Sequence, residues 1–457
     1  MLNEKKGLSA KNMAALIIFG MIGQIAWSVE NMYFNLFVFE EIAPSLEAIT
    51  LMVQASGVVA TLVTLVAGSL SDKLGNRRSF ISIGYIIWGV TVALFGFLSP
   101  ELVSTLFGMS VSEAVPTALA LAVVCDCVMT LFGSTANDAA FNAWVTDNTE
   151  SSFRGSVEGI LSILSLLAML VVAGGFGILV GFIGYTNLFL LLGAVISLSG
   201  LGGLFLIRDS AKLRKNGRLR DMIYGFRPST VKANPVLYLA FLVIMVYGIA
   251  CQIFMPYMII YMTTYLEFSV IEYSVVFAAA ILIGAGINLY LTRLSDRSDK
   301  ANLLYLAVGV MAAGLFAMYL SKWGGHTLRL ILFGVAGCVM ITGYIFVSAL
   351  AGAIVRDNTP TADTGKLQGV RMIFSVLIPM IIGPLVGNAI NKAANIPLPD
   401  ASSADAMTTQ YIPAPEIFLA AGISVLLLYL VIPMLKKEQK QTDGLILSKK
   451  VGISAQK

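Results

Sequence analysis

The sequence predicts an all-α integral membrane protein: twelve transmembrane helices in two six-helix bundles related by pseudo-twofold symmetry. The chain is 57% hydrophobic and 12% charged, with a mean hydropathy of +0.84, whereas a soluble domain has about 25% charged residues. A segment of the first half also recurs in the second, where Val145, Asp147-Asn148-Thr149, Gly155 and Gly159 reappear as Val355, Asp357-Asn358-Thr359, Gly365 and Gly369. Both copies lie between long apolar runs, which indicates a duplicated membrane bundle.

Twelve apolar stretches are long enough to cross a hydrocarbon layer of roughly 30 Å as helices of about 20 residues. Six lie in each half, at 13–39, 48–70, 79–99, 116–144, 156–183, 186–207, 235–264, 270–292, 301–320, 326–355, 366–391 and 413–435. The first run is too long for a signal peptide and lacks a small-residue cleavage pattern, so we interpret it as a membrane helix. The predicted domains are an N-terminal bundle at 1–207, a cytoplasmic linker at 208–233, a C-terminal bundle at 234–435 and a flexible cytoplasmic tail at 436–457.

The distribution of basic residues predicts that both termini are cytoplasmic. With that orientation only Lys322, Arg329 and Lys392 lie outside, and all other basic residues collect on the inner side. The positive-inside rule favours this arrangement. We therefore predict a multi-pass protein of the plasma or inner membrane, in which the net charge of +4 reflects topology and gives no reason to expect nucleic-acid binding.

The turn after the second helix carries the motif Gly68-x-Leu70-x-Asp72-Lys73-x-Gly75-x-Arg77-Arg78. Glycine permits close helix approach, the aspartate can face the positive end of a neighbouring helix, and the arginines can pair with acidic groups. The motif resembles the loop signature of the major facilitator superfamily, which implies a monomeric transporter that works by alternating access. From it we predict a conformational gate, with a merely solvated loop charge as the alternative for Asp72. The gate residues are Gly68, Asp72, Gly75, Arg77, Arg78, Asp147 and Arg154, together with Asp296 and Asp357 of the second copy.

The loop from Asp147-Asn148-Thr149 to Gly155 resembles the one between helices four and five of the cation-coupled sugar symporters, which include melibiose permease and the sucrose carriers. Sodium-binding members of that group have two acidic residues one turn apart on helix two. The matching positions here are Ala60 and Thr64. The resemblance therefore favours protons over sodium as the coupling ion, and no other cofactor or metal is expected.

Three ionisable residues lie deep in predicted spans, where a charge is unfavourable by roughly 2.5–3.5 kcal/mol on insertion scales, so they are functional candidates. They are Glu30, Asp126 and Asp138. Asp126 shares one helix face with Thr130, Ser134 and Asn137, and we expect this polar face to line a water-filled cavity. In the symporters resembled here, acidic residues on helices one and four hold sugar hydroxyls, and Glu30 and Asp126 fall near those places. The alternative is that the carboxyls only tether helices.

Four further candidates complete the predicted substrate and coupling site: Asn31, Gln252, Tyr257 and Arg371. Tyr257, Tyr261 and Tyr265 recur every four residues and could stack on sugar rings or anchor the membrane interface. Arg371 could contact substrate or simply snorkel to the cytoplasm. The single histidine, His326, falls at an outer helix end and is not expected to carry protons.

No enzyme signature is present, since the sequence lacks the zinc-protease, phosphate-loop and prenyltransferase motifs. We predict a secondary transporter that moves a small hydrophilic solute, such as a sugar or glycoside, by proton symport. A carboxyl in the site would take a proton from one side and release it on the other, because desolvation favours the neutral form of a carboxyl. The alternatives are efflux or flipping of an amphiphile or lipid, and a membrane receptor that transports nothing. The expected partners are the solute and the bilayer.

Overall fold

A computed structural model of the chain describes residues 9–149, 153–210, 224–295, 299–360, 364–398 and 411–454. We number the membrane-length helices α1 to α12. They are Ala10–Ile42 (α1), Leu46–Leu74 (α2), Arg77–Phe95 (α3), Val111–Asn148 (α4), 154–183 (α5), 185–206 (α6), Pro235–Tyr265 (α7), Val270–Ser295 (α8), Lys300–Leu320 (α9), His326–Asn358 (α10), 364–394 (α11), and Glu416–Leu426 continued by Leu428–Ser454 (α12). Two shorter helices, Pro100–Phe107 and Pro228–Ala233, are not numbered.

The predicted fold class is confirmed. Eleven helical segments of the described chain are long and apolar enough to span a membrane, and one of them, Gly159–Leu206, contains two spans. Gly184 separates α5 from α6 because its φ of +74° and ψ of 167° are incompatible with a continuous helix. The break falls where the sequence predicted the end of the fifth span.

Local capping explains where several helices begin and end. Gly75 ends α2 with a φ of +64°, a left-handed conformation that glycine adopts without strain. Asn76 then caps α3 by accepting the Ser79 amide at 3.0 Å. Ser110 and Glu113 form a reciprocal capping box at the start of α4.

Six π-helical turns interrupt these helices within the described residues, and such turns are often found at functional sites. They lie in α1, α4, α5, α7 and α11, at Glu30–Phe34, Val38–Ile42, Ser134–Phe141, Val172–Phe176, Tyr261–Tyr265 and Ile373–Leu377. Two of these turns carry predicted site residues: the first begins at Glu30, and the third contains Asn137 and Asp138. The irregular backbone thus coincides with the polar part of α1 and α4.

The chain forms two compact units. Among the described residues, the first comprises 9–149, 153–210, 255–278, 384–398 and 411–414, and the second comprises 224–254, 279–295, 299–360, 364–383 and 415–454. An aromatic cluster forms part of the core of the first unit, where the Phe34 and Phe95 rings stack at 4.3 Å and the Phe34 and Phe189 rings meet edge-on at 4.8 Å. The predicted bundle boundaries, 1–207, 208–233 and 234–435, remain predictions.

The α12 backbone continues as helix to Ser454, because the lysine, glutamate and glutamine residues that follow the apolar span are good helix formers. The flexibility predicted for the tail at 436–457 remains a prediction. The helix Pro100–Phe107 was not predicted. It is only eight residues long, and it is set by the Ser99 cap with proline at its first position.

Candidate functional site

Glu30 of α1 and Asp126 of α4 form the centre of the candidate site. Both are buried, at 7% and 2% exposure, and they are close enough to interact electrostatically. Thr130 donates its hydroxyl to Glu30 Oε1 at 3.1 Å, and Ser56 of α2 lies beside the Asp126 carboxyl. Glu30 Oε2 and Asp126 Oδ1 have no hydrogen-bond partner among the described residues. Because a buried polar atom without a partner is unfavourable, these two oxygens are well suited to take a proton or a ligand hydroxyl.

Asp138 has a different environment from the other two carboxyls. Ser134 donates to Asp138 Oδ2 at 3.0 Å, and the Asn137 amide donates to Asp138 Oδ1 at 3.3 Å. Asn137 in turn accepts the Tyr85 hydroxyl at 2.8 Å. Both oxygens of Asp138 therefore have donors, which favours the interpretation of Asp138 as a residue that positions α3 and α4 relative to each other.

Two tryptophans lie beside this polar chain. The rings of Trp27 on α1 and Trp88 on α3 are 5.0 Å apart, and Tyr85 meets Trp88 edge-on at 5.4 Å. The Trp27 indole N–H lies next to Asp138. Gly133 permits this packing, since a Cβ there would come within 2.7 Å of the Trp88 ring. Ser56, Tyr85 and Trp88 are not among the predicted site residues, because neutral residues on other helices give no sign of which carboxyl they approach.

The predicted polar face of α4 is present, and it is buried. Asp126, Thr130, Ser134 and Asn137 share one face, and each is at most 4% exposed. The expectation that this face lines a water-filled cavity is therefore wrong for this conformation, because neighbouring residues of α1, α2 and α3, among them Glu30, Ser56 and Tyr85, cover it.

The remaining predicted substrate residues lie in separate surroundings. Asn31 is exposed and donates its amide to the Trp27 carbonyl oxygen at 2.7 Å, so it does not join the carboxyls. Gln252 of α7 packs against Gly383 of α11 in the second unit. Arg371 is exposed on α11, and the choice between substrate contact and snorkelling stays open. The roles of these residues remain predictions.

Tyr257 takes part in contacts that we call the outer contacts, because the predicted topology puts them on the outer side. They are Thr50–Tyr257–Pro384, Glu47–Lys392 and Asn388–Tyr411, all within the first unit. The Thr50 and Tyr257 hydroxyl oxygens are 2.6 Å apart, and Tyr257 donates to the Pro384 carbonyl oxygen at 3.0 Å. Tyr257 and Tyr261 are fully buried, so their interpretation as interfacial anchors is wrong. The outer contacts join α2 of the first half to α7 and α11 of the second.

The other two outer contacts are an ion pair and a hydrogen bond. Lys392 pairs with Glu47 at 2.9 Å, and the Tyr411 hydroxyl donates to Asn388 Oδ1 at 2.8 Å. Burial raises the pKa of Tyr411 to about 12, and the neighbouring Glu47 carboxylate adds to this effect. The Tyr411 hydroxyl therefore stays protonated near neutral pH and remains a donor.

Arg77 is the centre of the predicted gate motif. It is buried at the start of α3, pairs with Asp72, and donates to Ser71 and to Asp147 Oδ2, the last at 3.1 Å. The carboxylate that faces the positive end of α3 is Asp209, which accepts the backbone amide of Arg77 at 2.8 Å. Asp72 itself pairs with the Arg77 side chain, and the expectation that it faces a helix end remains a prediction.

The structure explains some of the other motif residues and not others. Gly75 makes the left-handed turn described above. Arg78 donates to the Leu204 carbonyl oxygen of α6. A Cβ at Gly68 would meet no atom within 4 Å, so close helix approach does not explain this glycine in the present conformation. The side chain of Arg154 lies outside the described residues.

The second copy of the motif repeats one of these ion pairs. Asp357, at the end of α10, pairs with Lys300 at the start of α9, as Asp147 at the end of α4 pairs with Arg77 at the start of α3. Asp299 caps α9 by accepting the Ala301 amide at 2.9 Å. Asp296 lies outside the described residues. The duplication read from the sequence is thus present in the contacts.

Twelve membrane-length helices, two buried carboxyls without full hydrogen bonding and a duplicated charge motif together define a secondary transporter. The family model of the Major Facilitator Superfamily matches residues 16–384, so the chain belongs to this superfamily. It is therefore a multi-pass membrane transporter rather than an enzyme. No curated protein sequence matches the chain.

Solved structures of transporters share the fold. A point mutant of the nucleoside transporter NupG is similar with a TM-score of 0.65 and 14% identity, covering 92% of this chain and 99% of that one. NupG without the substitution gives 0.64 and 15%, covering 94% and 100%. A bacterial homologue of the human lysosomal transporter Spinster, in an inward-facing and unoccupied conformation, gives 0.65 and 13%, covering 94% and 98%. At these identities the similarity is one of fold.

Proposed function

We propose that the protein is a proton-coupled symporter that imports a small hydrophilic solute, of the sugar or glycoside class, by alternating access. The observation that carries the proposal is the buried pair Glu30 and Asp126, each with one oxygen that lacks a partner among the described residues. Intramembrane carboxyls in secondary transporters mark substrate and proton paths. A solute with several hydroxyls suits such acceptors better than an apolar one does.

The pair also supplies a route to coupling. Two neighbouring negative charges in a buried site repel each other, so a proton or a hydroxyl placed between Glu30 and Asp126 relieves that repulsion. Thr130 donates only to Glu30 Oε1, so Glu30 Oε2 stays available together with Asp126 Oδ1. When the site opens to the other side, water solvates the carboxyls again, and both proton and solute leave.

We infer that the outer contacts close the outer side of the transport site during alternating access. They join helices of the two repeats, so access from the outer side requires that Thr50 and Tyr257 separate. The Arg77 network instead lies within the first half of the chain. We infer that it braces α2, α3 and α4 as one body while the outer contacts break and re-form.

The test measures external pH in lightly buffered, de-energised cells while sugars, glycosides and nucleosides are added one at a time. Nucleosides are included because of the fold similarity to NupG. Alkalinisation specific to one compound, lost in Asp126→Asn, is the expected result. Glu113→Gln is the matched control, because it changes an acid to an amide on the same helix and glutamine can keep the capping box.

The other outcomes separate the remaining functions. Silence across the panel, with the protein present in the membrane, would contradict sugar symport and direct work to amphiphile efflux or lipid flipping. Saturable binding of a solute without any pH change or uptake would point to a receptor. Alkalinisation that persists in Asp126→Asn would remove this residue from the coupling mechanism.

A further inference from the structure

A cavity of about 670 Å³ lies in the second unit, at the predicted cytoplasmic ends of α7, α11 and α12. Its volume falls within the range of about 300–1,000 Å³ that small-molecule sites occupy. Leu239, Leu242 and Phe374 form its apolar walls, and Lys232, Lys437 and Glu438 supply its charged groups. It shares no residue with the proposed transport site or the outer contacts.

The walls suit an acyl chain better than a soluble solute. Met434 is 56% exposed and Phe226 is 43% exposed, and both line the cavity. Exposed large apolar side chains grouped together mark surfaces that contact a membrane, a ligand or another protein. Tyr238 donates its hydroxyl to the Gly225 carbonyl oxygen, which ties the segment before α7 to the helix itself. The cavity lies between this segment and helices α7, α11 and α12.

The charged groups define which lipid would bind. Lys232 and Lys437 are exposed, and the predicted topology places them at the anionic cytoplasmic leaflet, where basic pockets between helices recognise lipid headgroups. Glu438 disfavours a headgroup with several negative charges and can accept a hydrogen bond from a headgroup hydroxyl.

We propose that this cavity is a site for one singly anionic phospholipid such as phosphatidylglycerol. The phosphate lies between Lys232 and Lys437, and an acyl chain lies along Leu239, Leu242 and Phe374. A bound lipid would join α7 to α11 and α12 at their inner ends. The site is independent of which solute the protein carries.

The test titrates delipidated, full-length protein in detergent with phosphatidylglycerol or phosphatidylcholine of matched chains and counts bound lipids by native mass spectrometry. Tighter binding of phosphatidylglycerol is expected. Removal of each lysine should weaken that binding about fivefold, from roughly 1 kcal/mol per basic residue, and Lys232→Ala with Lys437→Ala about thirtyfold. Lys440→Ala is the charge-matched control, since Lys440 is exposed on α12 but does not line the cavity.

A second variant tests the walls separately from the charges. Leu242→Trp fills the apolar part and should abolish lipid binding with both lysines in place, provided that thermal unfolding shows a folded protein. Equal affinity for the two lipids, or unchanged affinity after loss of both lysines, would overturn the proposal. Binding of glycerol 3-phosphate as tight as that of phosphatidylglycerol would also overturn it, because the site would then recognise a free phosphate.

Discussion

Thr130 donates a hydrogen bond to one oxygen of the Glu30 carboxyl. The other oxygen has no partner among the described residues. Thr130→Val keeps the shape and removes the donor. The bond from Thr130 fixes the orientation of the Glu30 carboxyl, and hydrogen bonds to charged groups contribute about 1.5–3 kcal/mol. Because its loss leaves the carboxyl less well oriented for a solute hydroxyl, we expect KM for the solute to rise about tenfold while proton coupling persists. Initial uptake rates at varied solute concentration measure this, and an unchanged KM would exclude Thr130 from solute binding.

Tyr85 supports the site without carrying a charge. Its hydroxyl donates to Asn137, which in turn donates to Asp138. Tyr85→Phe leaves a buried acceptor without this donor, so we expect the free energy of unfolding to fall by about 1–3 kcal/mol. Thermal unfolding in detergent checks it against Tyr429→Phe, whose hydroxyl donates to a carbonyl at an exposed position. Equal losses would show that burial does not matter here.

At the scale of helices, the Tyr257 hydroxyl holds α2 to α7 and α11, beside the Glu47–Lys392 pair that also joins α2 to α11. Tyr257→Phe removes the contact with Thr50 and the bond to Pro384. A net hydrogen bond of about 0.5–1.5 kcal/mol corresponds to a two- to tenfold shift toward the separated state. We expect faster maleimide labelling of Val53→Cys, a buried position one turn from Thr50, in a background whose native cysteines are replaced.

The control for this labelling is Tyr290→Phe, since Tyr290 is 73% exposed on α8. Its labelling rate should match that of the unsubstituted background. If Tyr257→Phe also labels at that rate, the tyrosine hydroxyl does not hold the outer side closed.

Apolar run length predicted the twelve spans, and even the break at Gly184, because hydrophobic thickness fixes helix length. Spacing along α4 predicted which residues share its face. It could not predict that Ser56 and Tyr85 cover that face, because the contacts between helices depend on helix rotation and tilt, which packing sets. The π-turns at Glu30 and Ser134 gave no signal in composition.

The whole molecule is a duplication, and the two copies of one ion pair differ in burial. Asp147 pairs with a buried arginine, whereas Asp357 pairs with Lys300 at an exposed position. We expect Asp147→Asn to lower the free energy of unfolding by about 1–3 kcal/mol and Asp357→Asn by about 0–1 kcal/mol. Thermal unfolding of the two variants decides this. Equal effects would contradict the assignment of Arg77 as the brace of the first bundle.

The central claim is that Asp126 couples proton movement to solute movement. The most direct measurement compares solute counterflow with uphill accumulation under an imposed pH gradient, in proteoliposomes that contain the unsubstituted protein or Asp126→Asn. We predict that the unsubstituted protein does both and that Asp126→Asn retains counterflow but accumulates nothing. An Asp126→Asn protein that still concentrates solute would contradict the claim.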